Sequence, residues 1–386
     1  MDRELYVSTV ALMLFSLVAV YSLSIFPTVY FDASKFYFLK KELISVLIAF
    51  FILIFVGSLN PYKLFKPIGF TLFIVSFALI FIMIFLPESL VKAVLGAKRW
   101  IKLGSFSIAP TEFFKYGFLF FISWSLARKE KDLKNSKSLF AEISILFPYF
   151  FLLAVSVLII AVGQKDLGQS VVITVTLFTI IILASGSKKL FIALFSIFAI
   201  GLLTLIEIAP HRIARFKGWW VGIQDTFLTF LPHSWKVTDT AVPLHITNSL
   251  KAIETGGVIG QGLGEGQYKL GFLSEVHTDF IIAGISEEIG LFGLTLLFAL
   301  YGYVIYRIFF IGSKLKKTYE RYFVYGVATI IFVSLAINLY GITGLIPIKG
   351  IAVPLLSYGG SQIIATSFGI AMVLMLSRKV KEWVLY

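Results

Sequence analysis

Two acidic residues near one long apolar stretch have the right type and spacing for acid–base chemistry. Asp279 directly precedes the stretch that begins at Phe280, and Glu287 follows eight positions later. On a helix with about 100° per residue, these carboxylates lie about 80° apart with Glu287 about 12 Å deeper, so they could share a cavity. Glu288 points to the opposite side and is expected to face another helix or to bond locally. Two interpretations of Asp279 stay open: a helix N-cap, or a carboxylate at a membrane–water boundary that acts as a base.

Glu112 and Lys115 form a charged pair at the start of another apolar stretch. Their i,i+3 spacing places both on one face of a helix. Pro110 is suited to begin that helix, because an N–H is not needed in the first turn. The pair is either a structural ion pair that neutralises itself or one wall of a cavity for a charged substrate.

Basic residues in two segments predict an anion site. Arg binds a phosphate with a planar fork and Lys binds it as a point charge. The alternative is that these residues, together with Trp100, only anchor the chain at a membrane interface. The candidates are Lys98, Arg99, Lys102, Arg212 and Arg215.

A glycine-rich segment covers residues 256–266. Its spacing matches neither the dinucleotide fingerprint nor the phosphate loop, and no predicted strand precedes it, so it does not indicate a nucleotide site. A tight turn against a ligand is the favoured interpretation. The four His residues lack the spacing of a zinc site, and the absence of Cys excludes disulfides and thiolate metal sites.

The composition shows which elements must position these residues. Of 386 residues, 58% are hydrophobic and 14% are charged, whereas an average soluble domain has about 25% charged residues. This excludes an ordinary soluble protein, a disordered chain and, despite the net charge of +13, a nucleic-acid-binding protein. We therefore predict an all-α polytopic membrane protein, and we expect no cleavable signal peptide.

A membrane-spanning helix needs about 20 mostly apolar residues. The predicted inner loops carry about twice as many Lys and Arg residues as the short outer loops, which predicts that both termini are cytoplasmic. Residues 210–279 form a long extracytoplasmic loop before the eighth helix, and a loop of this length indicates a function. We expect one membrane domain over residues 1–386. The ten predicted spans are 6–27, 42–59, 64–86, 108–127, 139–162, 170–185, 190–209, 280–308, 323–345 and 361–378.

Five blocks, in the same order along the chain, resemble the motifs of the SEDS family (shape, elongation, division and sporulation). The sequence departs from the family pattern at Lys165 and Ser274, each in place of a proline, and residues 219–248 lack a recognisable family segment. Lys349 resembles the division-type branch, FtsW, more than the rod-type branch, RodA. The blocks are G-A-K-R-W-I (96–101) with Pro110, Glu112 and Lys115; Q-K-D-L-G (164–168); S-L-K-A-I with the glycines (249–264); H-T-D-F-I (277–281) with Glu287 and Glu288; and L-I-P-I-K-G with P-L-L-S-Y-G-G-S (345–361).

The resemblance implies a peptidoglycan glycosyltransferase that polymerises lipid II, a disaccharide unit carried on a polyprenyl pyrophosphate. Asp279 is then the general base that takes the proton of the acceptor hydroxyl, and the anomeric centre inverts. The leaving pyrophosphate needs positive charge, which basic residues and a divalent cation, Mg²⁺ or Mn²⁺, are expected to supply. Trp100 is expected to stack on a sugar or to contact a partner. The substrate-binding candidates are Lys98, Arg99, Trp100, Lys102, Glu112, Lys115, Arg212, Arg215, Glu287, Lys349 and Ser357.

The resemblance also implies partners and a location. We expect a class B penicillin-binding protein, which is a transpeptidase, to contact the long outer loop and the eighth and ninth spans. Other divisome proteins are expected at the division septum of the bacterial inner membrane, and no nucleic acid is expected. The alternatives are a lipid II flippase with Glu112, Lys115 and Glu287 along its path, a recruitment factor without catalysis, and the rod-type polymerase.

Overall fold

The computed structural model describes residues 1–30, 32–87, 90–91, 97–104, 106–136, 138–207, 210–226, 243–347 and 350–382. Within these residues the chain is mainly helical, which confirms the predicted all-α class. The helices are α1 (Arg3–Leu23), α2 (Ile25–Tyr30), α3 (Tyr37–Ser58), α4 (Pro61–Ile82), α5 (Pro110–Lys134), α6 (Leu139–Val157), α7 (Leu167–Ser185), α8 (Lys188–Glu207), α9 (Pro210–Thr226), α10 (Leu244–Gly256), α11 (Ile281–Lys314), α12 (Thr318–Ile342) and α13 (Gly360–Glu382).

Two short irregular features interrupt this pattern. A π-helical segment, Leu158–Gly163, continues α6. Strands β1 (Ile101–Leu103) and β2 (Phe106–Ile108) form an antiparallel hairpin just before α5, with Ile101 opposite Ile108.

Seven helices in the described part of the chain are long and apolar enough to cross a membrane, so the protein is polytopic. These are α1, α4, α6 with its π-helical continuation, α7, α11, α12 and α13. The other predicted spans, 42–59, 108–127 and 190–209, fall on α3, α5 and α8. The number of ten spans and their orientation stay predictions.

Helix α13 lies at the centre of the bundle and packs against α3 and α5. Its residues 370–376 are all fully buried, as expected for a helix that is apolar on every face. Gly57 of α3 allows close packing there, because a Cβ at this position would lie 3.3 Å from the side chain of Leu374.

Helix α11 is broken at Gly290, whose backbone has φ 64° and ψ −171°. The part of α11 after the break runs antiparallel to α1. Glu288 meets Ser22 in the last turn of α1, and Arg307 meets Asp2 at the start of α1. The predicted span 280–308 falls on α11. The break at Gly290 was not predicted from the sequence.

Candidate functional site

Asp279 lies in a segment of turns that precedes α11, which begins at Ile281. Phe280 is the N-cap of α11 and makes no side-chain capping bond, so the N-cap interpretation of Asp279 is wrong. The carboxylate is half-buried and lies against the backbone of Gly350, where a Cβ would come within 2.8 Å of Oδ2. Asp279 thus stands at a partly open rim with a backbone segment packed against one side.

The segment 350–359 holds the two residues before Asp279 in place. The hydroxyl of Ser357 donates to the carbonyl oxygen of Thr278 at 2.6 Å and accepts from the N–H of Val353 at 2.8 Å. The N–H of Tyr358 donates to the carbonyl oxygen of His277 at 2.9 Å. Ser357 is fully buried, and the structure therefore gives it a positioning role rather than a place on an open binding surface.

His277 is packed between two aromatic rings. Its ring centroid lies 4.8 Å from that of Phe38 and 5.3 Å from that of Tyr358. Burial lowers the pKa of His277 to about 4, so its imidazole is neutral at neutral pH. This packing fixes the chain two residues before Asp279.

Asn338 of α12 fixes the main chain of Asp279 itself. Its Nδ2 donates to the carbonyl oxygens of Asp279 at 2.7 Å and of Ile351 at 2.8 Å. The sequence reasoning missed this residue, although a lone Asn inside the predicted span 323–345 is a signal, because polar groups at membrane depth are costly.

Ile351 connects Asp279 to a polar cluster at the start of α7. A Cβ on Gly168 would lie 2.7 Å from the Ile351 side chain, so only glycine allows this contact. Two residues before Gly168, Asp166 forms a salt bridge with Arg99, with 3.4 Å between Oδ2 and Nε. Arg99 also donates a hydrogen bond to the carbonyl oxygen of Lys165 at 2.8 Å. Burial raises the pKa of Asp166, and the guanidinium of Arg99 opposes that shift.

The predicted pair Glu112–Lys115 is present, with 2.8 Å between Oε2 and Nζ, and both residues are buried. Gln169 donates to Glu112 Oε1 at 2.7 Å, which joins the pair to the start of α7. Thr111 donates to Gln164 at 2.6 Å beside it. Contact of Glu112 and Lys115 with a substrate stays a prediction. Gln169 is a partner that the sequence reasoning did not name, whereas Gln164 belongs to the Q-K-D-L-G block without a predicted role.

The carboxylate of Glu287 binds the backbone of the loop that precedes α11. Its fully buried carboxylate accepts from the backbone N–H groups of Gln267 and Tyr268, at 2.6 Å and 3.1–3.2 Å. The angle and depth predicted for Glu287 relative to Asp279 are wrong, because Asp279 lies outside the helix. The structure therefore assigns the Glu287 side chain a structural task.

Glu288 faces α1 and bonds locally, which confirms the expectation for it. Ser22 donates to both carboxylate oxygens, at 2.6 and 2.7 Å. Lys269 approaches the same carboxylate at 2.6 Å, and both members of the ion pair are almost completely buried. Three segments therefore meet at one carboxylate.

The glycine-rich segment packs against the backbone of α11 at the break. A Cβ on Gly260 would lie 2.3 Å from the carbonyl oxygen of Glu288, so the close approach needs glycine. The predicted tight turn therefore packs against the backbone of α11, and its contact with a ligand stays a prediction. Four backbone hydrogen bonds of 2.9–3.0 Å join the glycine-rich segment to α11 on both sides of the break. They run from the N–H of Gln261 to the carbonyl of Glu287, from Gly262 to Glu288, from Leu291 to Gly257 and from Phe292 to Val258.

The remaining predicted binding residues lie in and around the β-hairpin, on α9 and near residue 350. Lys98 and Trp100 are half-buried and Lys102 is exposed, all in or beside β1. Ser361 ties this hairpin to the start of α13, because its hydroxyl accepts from Ala109 N and donates to the carbonyl oxygen of Ser107. Arg212 and Arg215 lie on α9, with side chains outside the described part of the structure, and Lys349 lies outside the described residues.

No group of three or more His, Cys, Asp or Glu side chains in the described residues is arranged to hold a metal ion. The side chains around Asp279 that the structure describes therefore do not form a metal site by themselves. A divalent cation held jointly with a substrate pyrophosphate stays a prediction.

Fold and site together define a polytopic membrane protein with a half-buried carboxylate at one end of its helix bundle, next to a buried polar cluster. The FtsW, RodA and SpoVE family model, described as "Cell cycle protein", matches residues 3–382. The chain belongs to this family.

Named relatives agree with this assignment. The chain is 40% identical to "Probable peptidoglycan glycosyltransferase FtsW" of Helicobacter pylori strain J99, over 98% of this chain and 99% of that one. It is 32% identical to the protein of the same name from Geobacter sulfurreducens, over 98% and 96%.

Two solved structures share the fold. One is a chain from a structure described as "Structural coordination of polymerization and crosslinking by a peptidoglycan synthase complex". It has a TM-score of 0.72 and 21% sequence identity, with 98% coverage of both chains. The other is the rod shape determining protein RodA of Thermus thermophilus, with a TM-score of 0.64, 21% identity and coverage of 98% and 97%.

Proposed function

We propose that this protein is a peptidoglycan glycosyltransferase that polymerises lipid II, with Asp279 as the general base. The observation that carries the proposal is the half-buried carboxylate of Asp279, whose main chain is fixed by Asn338 and whose preceding residues are fixed by Ser357 and Tyr358. A base must hold one geometry to take a proton in the transition state. The names of the family's curated relatives support the same activity.

The proposed reaction is a single displacement. The acceptor hydroxyl oxygen bonds to the anomeric carbon of the donor sugar, while the bond from that carbon to the pyrophosphate oxygen breaks. The hydroxyl proton passes to Asp279, and the pyrophosphate leaves with the bonding electron pair, so the anomeric centre inverts. Because pyrophosphate is already a stable anion, nearby positive charge matters more than a general acid.

The proposed sources of that charge are the basic residues before α5 and on α9. Among these residues Arg99 has a fixed position, because Asp166 and the carbonyl oxygen of Lys165 hold its guanidinium at the start of α7. The chain Asp166–Gln169–Glu112–Lys115 connects this cation with a second buried one. We propose that the arrangement holds the donor pyrophosphate near Asp279.

The division role is the finer part of the proposal. The relatives at 40% and 32% identity are both named FtsW, which favours the division-type branch over the rod-type branch. We propose location in the bacterial inner membrane at the septum, together with other divisome proteins. A class B penicillin-binding protein is the proposed partner, supported by the shared fold with a chain from a peptidoglycan synthase complex that polymerises and crosslinks.

The test uses this protein purified together with its cognate class B transpeptidase and supplied with lipid II. We expect Asp279→Asn to lower the rate of glycan-strand formation by about 10²–10⁴-fold, the usual contribution of a general base. Glu275→Gln is the matched control, because Glu275 is an exposed carboxylate in the same segment. A full rate in Asp279→Asn would refute the assignment. Lipid II movement across vesicles without any polymerisation by the unmodified complex would favour the flippase.

A second measurement tests the anion site. Removing a charged contact costs about 1.5–3 kcal/mol, so Arg99→Ala and Arg212→Ala should each weaken lipid II binding by about 10–100-fold, and less at high salt. Lys40→Ala is the control, because it removes an exposed cation that the proposal does not place at the donor site. Unchanged lipid II affinity in both Arg variants would remove these residues from the donor site.

A further inference from the structure

A basic recess lies at the opposite end of the bundle from Asp279, where α11 passes into α12. Four of its lining residues are lysines and one is a glutamate, so the lining has a net charge of +3 at neutral pH. Arg307 meets Asp2 about two turns before Lys314, and Lys379 belongs to the last turns of α13. The recess therefore lies at the end of the bundle where α1 begins and α13 finishes. Its lining is Tyr62, Lys314, Leu315, Lys316, Lys317, Glu320 and Lys379.

The glutamate in this recess is neutralised from within the protein. Glu320 is buried and accepts from Lys379 Nζ at 2.5 Å and from the Tyr319 hydroxyl at 3.1 Å. Lys314 and Lys317 are exposed at the mouth of the recess. The positive charge of the mouth is therefore not offset by Glu320, and an anionic group is favoured there.

The start of α12 lies beside the recess. This helix of 25 residues begins at Thr318, and its N-cap, Lys317, makes no side-chain capping bond. The carboxylate of Glu130, on α5, hydrogen-bonds to Thr318 in this turn. The preference of the recess for an anion therefore rests on its lysines and not on the helix N-terminus.

An apolar face leads from the recess along α11. Tyr303, Tyr306, Phe309 and Phe310 are 40%, 57%, 45% and 37% exposed in the last turns of this helix. Lys314 lies over the Phe310 ring, with 5.6 Å from Nζ to the ring centroid. Exposed aromatic rings next to basic residues are typical of the membrane interface, where acyl chains meet headgroups.

We infer that this recess binds the phosphate group of an anionic phospholipid, whose acyl chains lie along the exposed aromatic face of α11. The ligand needs both parts, because the recess supplies positive charge and the adjoining face supplies apolar contact. Basic pockets between membrane helices are suited to such headgroups.

The experiment measures retention of dioleoylphosphatidylglycerol by the purified protein in detergent, using native mass spectrometry, with dioleoylphosphatidylcholine and inorganic phosphate as comparison probes. Each lysine near an anionic headgroup contributes about 1 kcal/mol, or about fivefold in affinity. Lys314→Gln/Lys317→Gln should therefore bind phosphatidylglycerol about 25-fold more weakly. Lys35→Gln/Lys40→Gln is the matched control, because it removes two exposed lysines at the opposite end of the bundle, where neighbouring Phe38 contacts His277, and should keep the affinity.

A second pair of variants tests the apolar face. Tyr306→Ser/Phe309→Ser should lower the affinity for phosphatidylglycerol while all four lysines of the recess remain. Equal loss in the recess and control variants would overturn the inference, because it would indicate a general effect of charge. Equal retention of phosphatidylcholine, or displacement of phosphatidylglycerol by millimolar inorganic phosphate, would also overturn it. Unchanged unfolding temperatures show that the exposed substitutions leave the fold intact.

Discussion

The buried ion pair between Lys269 and Glu288 is expected to set much of the stability of the segment that carries Asp279. Lys269 belongs to the loop before Asp279, Glu288 belongs to α11 and Ser22 belongs to α1. The pair is 2.6 Å long, with side chains only 1% and 2% exposed. Solvent therefore cannot replace either partner when the other is removed.

The expected size follows from that burial. Removing one partner of a buried ion pair costs about 3–5 kcal/mol, because a charge stays buried without its counterion. Lys269→Met and Glu288→Leu should each lower the free energy of unfolding by about this amount. This is a large share of the 5–15 kcal/mol that is typical of folded proteins. The double variant should regain most of the loss, because buried pairs are often replaced by apolar residues at little cost.

The measurement is a double-mutant cycle on the free energy of unfolding in detergent, followed by lipid II polymerisation for each variant. The exposed Lys251→Met of α10 is the control and should change stability by less than about 0.5 kcal/mol. Polymerisation should fall in both single variants and recover in the double variant. If the double variant loses as much as the two single variants added together, the charge pairing is not what holds this segment.

Two more predictions concern the backbone and the pH dependence of the same region. Gly260→Ala should abolish polymerisation or folding, because its Cβ would lie 2.3 Å from a backbone oxygen. Gly264→Ala should be milder, because Gly264 has a similar φ of +89° but open space around it. Equal unfolding temperatures in the two variants would contradict this. The pKa of His277 is lowered by burial to about 4, so the unfolded chain binds a proton between about pH 6.5 and 4 that the native chain does not. Stability should therefore fall by about 3 kcal/mol as the pH falls through this window. His277→Phe should flatten that part of the curve of unfolding free energy against pH, and an unchanged slope would show that other groups dominate.

Much of the architecture could be predicted from local patterns. A chain inside a bilayer must satisfy its backbone hydrogen bonds within each segment, so a long apolar run indicates a helix. The predicted span 139–162 matches α6 with its π-helical continuation almost residue for residue. The pair Glu112–Lys115 was predictable for the same reason, because i,i+3 spacing within one helix fixes the two side chains on one face.

The candidate site could be predicted only in part. Asp279 and Arg99 were identified from their types and motifs, and the chemistry expected of them follows from charge. Their neighbours were not, because Asn338 lies 59 residues from Asp279 and 13 from Ile351 in the sequence, and still bridges their carbonyl oxygens. A pattern read along one segment carries no information on which distant carbonyl an amide will meet.

The break in α11 shows the same division between sequence and structure. By itself, the sequence determined a membrane-embedded helical chain, its glycine cluster and the acidic residues near its outer loop. Only the tertiary structure decided that the glycine-rich segment pairs with the backbone on both sides of Gly290, and that Lys269 reaches Glu288 there. The physical reason is that helix formation depends on hydrogen bonds within four residues. The pairing of a broken helix with a remote loop depends instead on two backbones approaching closely in the packed bundle.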